Sequence, residues 1–300
     1  MAILNNIIST FSQKHLALLL IILCLLISSA EYGQQTTDKI NYLSPHNRLI
    51  FGNYLYADKD YLRAADEFKE YLKVESSDTV QFRFANSFFK IGRYTDAIDN
   101  FKNLFFSSSI SNESRLMYYE SNFFLKDYKT FRDLAERDDY LPIKFQKEIE
   151  RLKFITYFFD DAFLPDQNLF LRSFPDSMQQ QISKFYQLKK YPKHRSVTTA
   201  VILSTLIPGA GKIYTGEIGD GITALISTAL CGYLAVTNFK ADHQFRGWLF
   251  TGLAAFFYTG NIYGSAASAQ IYNARVRFNF VNEVKIFFDQ RNYLLPQIDF

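Results

Sequence analysis

The stretch NRLIFGNYLYADKDYLRAADEFKEYL (47–72) decides the fold, because the chain repeats its pattern 33 residues later as VQFRFANSFFKIGRYTDAIDNFKNLF (80–105). A small residue, Gly52 or Ala85, occupies the same place in each copy, where it lets two helices approach closely while Phe and Leu fill the gap between them. The other matched positions are Tyr61 and Tyr94, Ala64 and Ala97, Phe68 and Phe101, Leu55 and Phe88, and Asn53 and Asn86. The pattern predicts helix–turn–helix units that stack on their neighbours.

This pattern resembles the tetratricopeptide repeat. The Leu-Gly, Tyr, Ala and Phe positions of that family are matched by Phe51-Gly52, Leu55, Ala64 and Phe68 in the first unit and by Phe84-Ala85, Phe88, Ala97 and Phe101 in the second. The early Trp of the family is replaced by Arg48 and Gln81, its late Pro is missing, and the period is one residue short of the usual 34. The resemblance implies an all-α array, with its clearest repeats at 45–77 and 78–111.

The array is predicted to cover residues 31–195, irregularly towards its end. Tyr128 lies 34 residues beyond its counterpart in the second unit and indicates a third unit, although Phe131 stands where a small residue is expected. Segments 142–160 and 175–190 have apolar residues at helical spacing and continue the array. Such arrays need about three or more units for stability, and the predicted number meets this requirement.

The resemblance implies a groove that binds a partner, because the first helix of each tetratricopeptide unit lines a concave surface that takes peptide segments. The residues expected there are Asn53, Tyr56, Asn86, Phe89 and Lys90. An amide side chain offers both a donor and an acceptor, so stacked Asn side chains could hold an extended peptide backbone. The alternative is that these residues are solvated polar positions on a structural array.

The composition indicates a folded protein. The 300 residues carry 33 basic and 30 acidic side chains, for a net charge of +3, and aromatic residues make up 17%. A chain this apolar, with 13 Gly, 7 Pro and 2 Cys, is neither disordered, nor collagen-like, nor a disulfide scaffold. The near-neutral balance of charge also argues against a nucleic-acid partner, which would require a basic surplus.

Residues 1–30 have the parts of a secretory signal. Lys14 precedes the apolar run 16–27, and small residues follow up to Ala30, after which cleavage is expected. The alternative is an uncleaved N-terminal anchor, although the apolar run is short for crossing about 30 Å of hydrocarbon.

Charge density divides the rest of the chain in two. Residues 31–195 contain 49 charged side chains in 165, whereas residues 196–300 contain 13 in 105. A basic run at 189–195 marks the boundary, and long charge-free stretches follow it. This pattern is typical of a water-soluble domain followed by a membrane-embedded one, with the basic run at the bilayer surface.

Two strings in the second half are the most specific. Residues 202–221 read ILSTLIPGAGKIYTGEIGDG and residues 258–274 read YTGNIYGSAASAQIYNA. The pattern P-G-x-G-x-x-Y-x-G followed by G-N-I-Y-G resembles a set of bacterial envelope proteins of unknown function that combine tetratricopeptide-like repeats with this module. The first motif is also similar to that of small two-helix membrane domains. The residues singled out are Pro208, Gly209, Gly211, Lys212, Tyr214, Gly216, Asp220, Gly260, Asn261, Tyr263 and Gly264.

The first string predicts a broken helix. Pro208 cannot continue the helix predicted at 197–207, which is too short to cross a bilayer. Gly209 and Gly211 permit tight backbone turns, and a positive φ is expected at Gly211.

A membrane module is predicted over 196–275. The chain is expected to re-enter as a helix whose N-terminus Asp220 stabilises by capping and by its charge. Two membrane spans are predicted, at about 218–238 and 247–268. A C-terminal tail is expected over 276–300.

Asn261 is a polar amide among small and apolar residues that include Gly260 and Gly264. An unpaired amide near hydrocarbon is costly, so its side chain is expected to hydrogen-bond a neighbouring helix or the broken backbone at 209–211. One interpretation is a purely structural clamp. The other is a pocket for a lipid phosphate, because exposed amides at a helix start and a lysine bind anions. The members of that pocket would be Gly209, Gly211, Lys212 and Tyr214.

No motif for catalysis or cofactor binding is present, so no cofactor and no metal are expected and the chain is predicted not to be an enzyme. The string PGAGK is not a nucleotide-binding loop, since Leu206 and Ile213 stand where that loop requires Gly and Ser or Thr. His46, His194 and His243 lie far apart, with no Cys or carboxylate at ligand spacing.

The leading hypothesis is a membrane-anchored envelope scaffold whose array binds a protein partner. Its module would contact membrane lipid and, through its small residues, an integral membrane partner or a second copy of the chain. The rival hypothesis is a lipid-binding or transport module centred on the PGAGK and GNIYG strings. Because apolar helices rather than alternating strands form the predicted spans, the expected location is the inner membrane, with the array facing the periplasm.

Overall fold

The computed structural model describes residues 41–106, 109–137 and 139–298, and within these ranges all regular structure is helical. The prediction of an all-α fold is therefore confirmed. The signal expected over residues 1–30 lies outside the described residues.

Thirteen α-helices occur in the described part of the chain. They are α1 (Pro45–Ala57), α2 (Tyr61–Leu72), α3 (Asp78–Lys90), α4 (Tyr94–Lys102), α5 (Ser111–Phe124), α6 (Tyr128–Glu136), α7 (Gln146–Thr156), α8 (Gln167–Arg172), α9 (Asp176–Lys190), α10 (Val197–Leu206), α11 (Ala210–Tyr214), α12 (Ile218–Lys240) and α13 (Gln244–Asp289). Short 3₁₀ turns at Ile143–Phe145 and Asn292–Leu294 precede α7 and follow α13. The described residues divide into two compact units, the first ending at Val80 and the second beginning at Gln81.

In the first unit, α1 and α2 form the helix pair that the repeat predicts. Ser44 and Asp60 begin these helices, because the side chain of each accepts a hydrogen bond from the backbone N–H three residues further on. A Cβ atom on Gly52 would lie 2.8 Å from the ring of Phe68. The small residue is therefore required where the two helices touch.

In the second unit, α4 to α9 enclose a core made mainly of aromatic side chains. Phe101, Phe131, Phe158 and Phe170 are each at most 1% exposed. Phe131, which stands where the family has a small residue, is accommodated by edge-on contacts with the neighbouring rings. Such edge-to-face pairs are a favourable arrangement for aromatic rings.

The apolar part of the second unit begins with α10, which ends at Leu206, one residue before the end of the helix predicted at 197–207. Pro208 lacks the N–H that would continue the helix. By length and composition, α12 could cross a membrane, and the rest of the chain buries little of it. No other helix among the described residues meets this test, so the second span predicted at 247–268 is not confirmed. Polar and small residues, Asn261 among them, dilute the apolar character of that segment.

The C-terminal tail predicted over 276–300 is instead largely the end of α13, which runs without a break to Asp289. Val284 and Phe288 are fully buried, and the ring of Phe288 stacks on that of Tyr293 at 6.1 Å between centroids. One helix therefore joins the apolar part of the second unit to its aromatic core.

Candidate functional site

Asn261 of α13 holds the broken backbone that follows α10. Its side-chain oxygen accepts a hydrogen bond from the N–H of Gly209 at 3.0 Å, and its side-chain nitrogen donates to the carbonyl of Ser204 at 3.4 Å. The residue is 3% exposed. The amide was expected to hydrogen-bond a neighbouring helix or the broken backbone, and it does both, because Ser204 belongs to α10 and Gly209 to the broken backbone.

Hydroxyl groups extend this network along α13. The Ser265 hydroxyl donates to the carbonyl of Asn261 at 2.9 Å. It therefore accepts from the Ser204 hydroxyl at 2.6 Å, because each hydroxyl has one proton. The Ser204 oxygen in turn accepts from the N–H of Gly211 at 2.9 Å. We call the network of Ser204, Gly209, Gly211, Asn261 and Ser265 the polar clamp.

Two further pairs join the same segments beyond the polar clamp. The hydroxyls of Thr215 and Ser268 lie 2.6 Å apart and are buried. The side chain of Asn273 accepts from the N–H of Arg195 at 2.7 Å and donates to its carbonyl at 2.9 Å. These partners were not predicted from the sequence. The signal was present, because Asn261, Ser265 and Ser268 recur at the spacing of one helix face.

Two of the glycines singled out from the sequence are required by close backbone contacts. Gly209 has a φ of 86°, and a Cβ there would lie 1.9 Å from the carbonyl oxygen of Gly221. Gly211 does not have positive φ, so that expectation is wrong. It is needed for another reason, since its Cβ would lie 2.0 Å from the carbonyl oxygen of Ala200.

The other glycines singled out from the sequence have different roles. Gly216, with a φ of 88°, ends α11, and the N–H groups of Gly216 and Glu217 return to the last turn of that helix. A Cβ on Gly260 would meet nothing within 4 Å, so this glycine makes no close helix crossing. A Cβ on Gly264 would lie 3.0 Å from the Cε of Lys212, so the lysine stem lies across this glycine.

Four of the predicted residues line one cavity of about 330 Å³: Lys212, Asp220, Gly260 and Asn261. Lys212 forms no ion pair with any described residue, and Asp220 is exposed in the first turn of α12. Asp220 does not cap this helix, because the N-cap residue is Glu217. The carboxylate of Asp220 still faces the positive end of the helix dipole.

The two tyrosines of the strings do not line this cavity. The hydroxyl of Tyr214 accepts from the N–H of Ser196 at 3.3 Å, and the guanidinium of Arg195 lies over its ring at 4.8 Å. Tyr214 therefore fixes the start of α10. Tyr263 is 79% exposed.

The residues predicted for the groove differ in exposure. Asn53 and Tyr56 are half-buried, and the ring of Tyr56 packs edge-on against Tyr61 at 5.3 Å. Phe89 is also half-buried and packs against Phe124 of α5 at 5.6 Å. Lys90 is exposed. Of these residues, Lys90 is the one most open to a partner.

Asn86 is 1% exposed, so the expectation that its side chain stands open in a groove is wrong. Glu120 of α5, 34 residues further on, is 6% exposed and was not predicted from the sequence. Its Oε1 atom is buried and has no hydrogen-bond partner among the described residues. Burial raises the pKa of this carboxyl to about 8, although the charge of Lys90 acts in the opposite direction. Glu120 lies one repeat after Asn86, so the repeat spacing could have singled out this position.

The described residues contain no group of three or more His, Cys, Asp or Glu side chains that could hold a metal ion. Cys231 of α12 is a buried free thiol.

No protein-family model and no solved structure matches the chain. Uncharacterized protein MJ1516 of Methanocaldococcus jannaschii is 46% identical to it over 43 residues, which are 14% of this chain and 39% of that protein. The chain thus covers well under two thirds of that relative, and the likeness is confined to a short segment.

Proposed function

We propose that this chain is a membrane-anchored scaffold of the cell envelope, whose tetratricopeptide-like array binds a protein partner. The observation that carries the proposal is the continuity of α13. This helix supplies Asn261 to the polar clamp and, about seven turns later, Phe288 to the aromatic core. One continuous helix, α13, thereby connects the aromatic core at the end of the array to the apolar part, as an anchored scaffold requires.

The exposed apolar surface supports anchoring in a membrane. Large apolar side chains on three helices are more than half exposed, among them Leu206 on α10, Leu230 and Tyr233 on α12, and Trp248 and Phe256 on α13. Soluble monomers rarely expose contiguous apolar patches of more than a few hundred Å². A bilayer would cover these side chains, and the polar clamp satisfies the backbone groups of the broken segment, which lipid could not do.

The helix pairs support binding by the array, because stacked helical repeats present extended surfaces to partners. We assign the array to the periplasm and the apolar part to the inner membrane, on the basis of the N-terminal signal and the helical character of α12. The partner is a protein, and the biological role is assembly of envelope proteins. No enzymatic activity, cofactor or nucleic acid is part of the proposal.

Site-specific photocrosslinking in cells tests partner binding. A crosslinking amino acid at Lys90, the exposed member of the predicted groove, should yield a discrete adduct with another protein. The matched control is the same amino acid at Lys184, an exposed position on α9 outside the groove. Equal adduct patterns at both positions, or none at either, would contradict the proposal. Replacing Asn86 is a poorer test, because truncation of a buried residue also lowers stability.

A second candidate function is lipid binding at the broken helix. The observation that favours it is the 330 Å³ cavity at which the ammonium of Lys212 has no acidic partner among the described residues. Against it, the N–H groups of Gly209 and Gly211 are already bonded to Asn261 and Ser204, so they are not available to a phosphate. We therefore rank this function second.

A further inference from the structure

A large cavity of the second unit lies between its aromatic core and its apolar part. Its volume is about 790 Å³, within the range of about 300–1,000 Å³ that is usual for ligand pockets. The walls come from the loop 161–166, from the end of α9 with the linker 192–194, and from residues 272–283 of α13. None of the residues singled out from the two sequence strings lines it.

One part of the lining is apolar and firmly held. Leu188, Val276 and Phe280 line the cavity. The ring of Phe280 packs against Phe158 at 6.0 Å and Phe185 at 6.3 Å, both of them buried core residues. This wall is therefore fixed by the aromatic core.

Four cationic side chains of Lys and Arg line the same cavity, and two of them are engaged. The Lys189 ammonium donates to the carbonyl of Asp160 at 2.6 Å, and Arg277 forms an ion pair with Asp161 at 3.2 Å. Lys190 and Lys193 are exposed and have no carboxylate partner among the described residues. The Lys190 ammonium lies over the rings of Tyr186 and Tyr191 at 5.9 and 5.4 Å, and both ammonium groups lack an acidic counterion in the described part of the chain.

Three carboxylates also line the cavity, and two of them are engaged. Asp161 pairs with Arg277, and Asp166 accepts from the N–H groups of Asn168 and Leu169 at the start of α8. Glu283 is the remaining one. Two lysines without a carboxylate partner, Lys190 and Lys193, thus stand against the single carboxylate of Glu283, so the lining favours a ligand with negative charge.

The position of the cavity agrees with this chemistry. The linker 192–194 that lines it ends three residues before Val197, the first residue of the apolar helix α10. Clusters of basic residues beside a membrane segment attract anionic lipids, at about 1 kcal/mol for each Lys or Arg. A ligand there would have its charge beside the linker to α10 and its hydrocarbon against the wall that the aromatic core fixes.

We propose that this cavity binds one anionic membrane amphiphile. Its phosphate headgroup is contacted by Lys190 and Lys193, and its hydrocarbon chain lies against Leu188, Val276 and Phe280. A soluble phosphate ester shares the headgroup chemistry but leaves the apolar wall uncovered. The inference rests on the membrane anchoring proposed above but not on partner binding, since crosslinking at Lys90 reports on a different surface.

Native mass spectrometry of the full chain in mild detergent tests this site with three probes: phosphatidylglycerol, phosphatidylcholine and glycerol 3-phosphate. We expect one retained phosphatidylglycerol and much weaker retention of the other two. The double variant Lys190→Ala/Lys193→Ala should bind phosphatidylglycerol about 10- to 30-fold more weakly. The matched control Lys147→Ala/Lys184→Ala removes two exposed lysines outside the cavity and should bind as the wild type does.

A cavity-filling variant separates this site from general attraction to a basic surface. Val276→Trp keeps every charge but occupies the cavity, so it should lower phosphatidylglycerol retention at least as much as the lysine variant. Asn279→Trp, at an exposed lining position, repeats the test if the first variant does not fold. If a folded cavity-filling variant retained phosphatidylglycerol as well as the wild type does, the proposal would be overturned. Retention of phosphatidylcholine equal to that of phosphatidylglycerol would also overturn it. Retention of glycerol 3-phosphate equal to that of phosphatidylglycerol would replace the lipid by a soluble phosphate ester.

Discussion

The backbone N–H of Gly209 donates to the side-chain oxygen of Asn261 at 3.0 Å, across 52 residues of sequence. A single amide thus determines how the chain leaves α10 and enters α11. If the side-chain amide of Asn261 is removed, the buried N–H of Gly209 has no other acceptor in the polar clamp.

Asn261→Ala should therefore lower the free energy of unfolding by about 1–3 kcal/mol, the usual cost of leaving a buried polar group unpaired. Thermal or denaturant unfolding in detergent measures the change. The control is Asn282→Ala, which truncates an exposed amide on the same helix and should change stability by less than about 0.5 kcal/mol. Equal stability of the two variants would contradict the assigned role of Asn261.

The glycines of the two strings should respond differently to a methyl group. Gly211→Ala places a Cβ 2.0 Å from the carbonyl oxygen of Ala200, so a loss of about 1–3 kcal/mol is expected from overpacking. Gly260→Ala meets nothing within 4 Å and should be neutral or up to about 1 kcal/mol more stable, because Ala favours a helix. The same unfolding measurement compares them, and a reversed order would refute the close-contact explanation.

Lys212→Ala should lower stability by less than about 1 kcal/mol, because its ammonium makes no ion pair with the described residues and only its stem packs, across Gly264. It should also leave the phosphatidylglycerol adduct unchanged, since that ligand is assigned to the cavity beside Lys190 and Lys193. Native mass spectrometry compares it with Lys240→Ala, an exposed lysine at the end of α12. Loss of the adduct in Lys212→Ala alone would favour lipid binding at the broken helix.

Glu120 should make stability depend on pH. Burial raises the pKa of its carboxyl from 4.5 to about 8, so the folded state of the protein is favoured when this carboxyl is protonated. The stability that depends on this proton is fully present below pH 4.5 and is lost as the pH rises towards 8. At roughly 1.4 kcal/mol per pH unit, the upper limit of the loss is about 4–5 kcal/mol.

Glu120→Gln removes the titrating group and should be more stable than the wild type at pH 8 to about 9, with a flatter pH profile. Glu150→Gln, an exposed position on α7, is the control and should keep the wild-type profile. Unfolding measured at a series of pH values tests both. A wild-type profile in Glu120→Gln would show that the carboxyl is not the group responsible.

The end of α13 should contribute strongly to the stability of the aromatic core. Phe288→Ala removes a fully buried ring and should cost about 3–5 kcal/mol. Phe278→Ala, on the same helix but 70% exposed, should cost less than about 1 kcal/mol. Similar losses in the two variants would contradict the packing of the helix end.

The sequence predicts local structure in this protein better than long-range contacts. The break at Pro208 and the need of Asn261 for a partner follow from local chemistry, because a missing N–H and an unpaired amide have few solutions. The partner atoms themselves belong to residues 52 and 57 positions away in the sequence, and local chemistry does not indicate which distant residues those are.

The extent of α13 was missed because its last turns also carry charged residues, which resemble a solvated tail. Phe280, Val284 and Phe288 nevertheless recur every four residues, which is the spacing of a helix stripe. The sequence does not show what this stripe packs against. That depends on how α4 to α9 fold around the aromatic core. The burial of Asn86 was missed for the same kind of reason, since a repeat register gives the face of a helix but not what covers it.

An unbroken helix also behaves as a lever. Asn261 and Val284 are 23 residues apart, or about 35 Å along the helix axis. If the apolar half of α13 tilts by about 10° to match a thinner bilayer, the far end is displaced by roughly 6 Å, because no proline or bulge lies between the two to absorb the angle. In the membrane-anchored scaffold that we propose, a change in bilayer thickness would therefore place a mechanical load on the rings around Phe288.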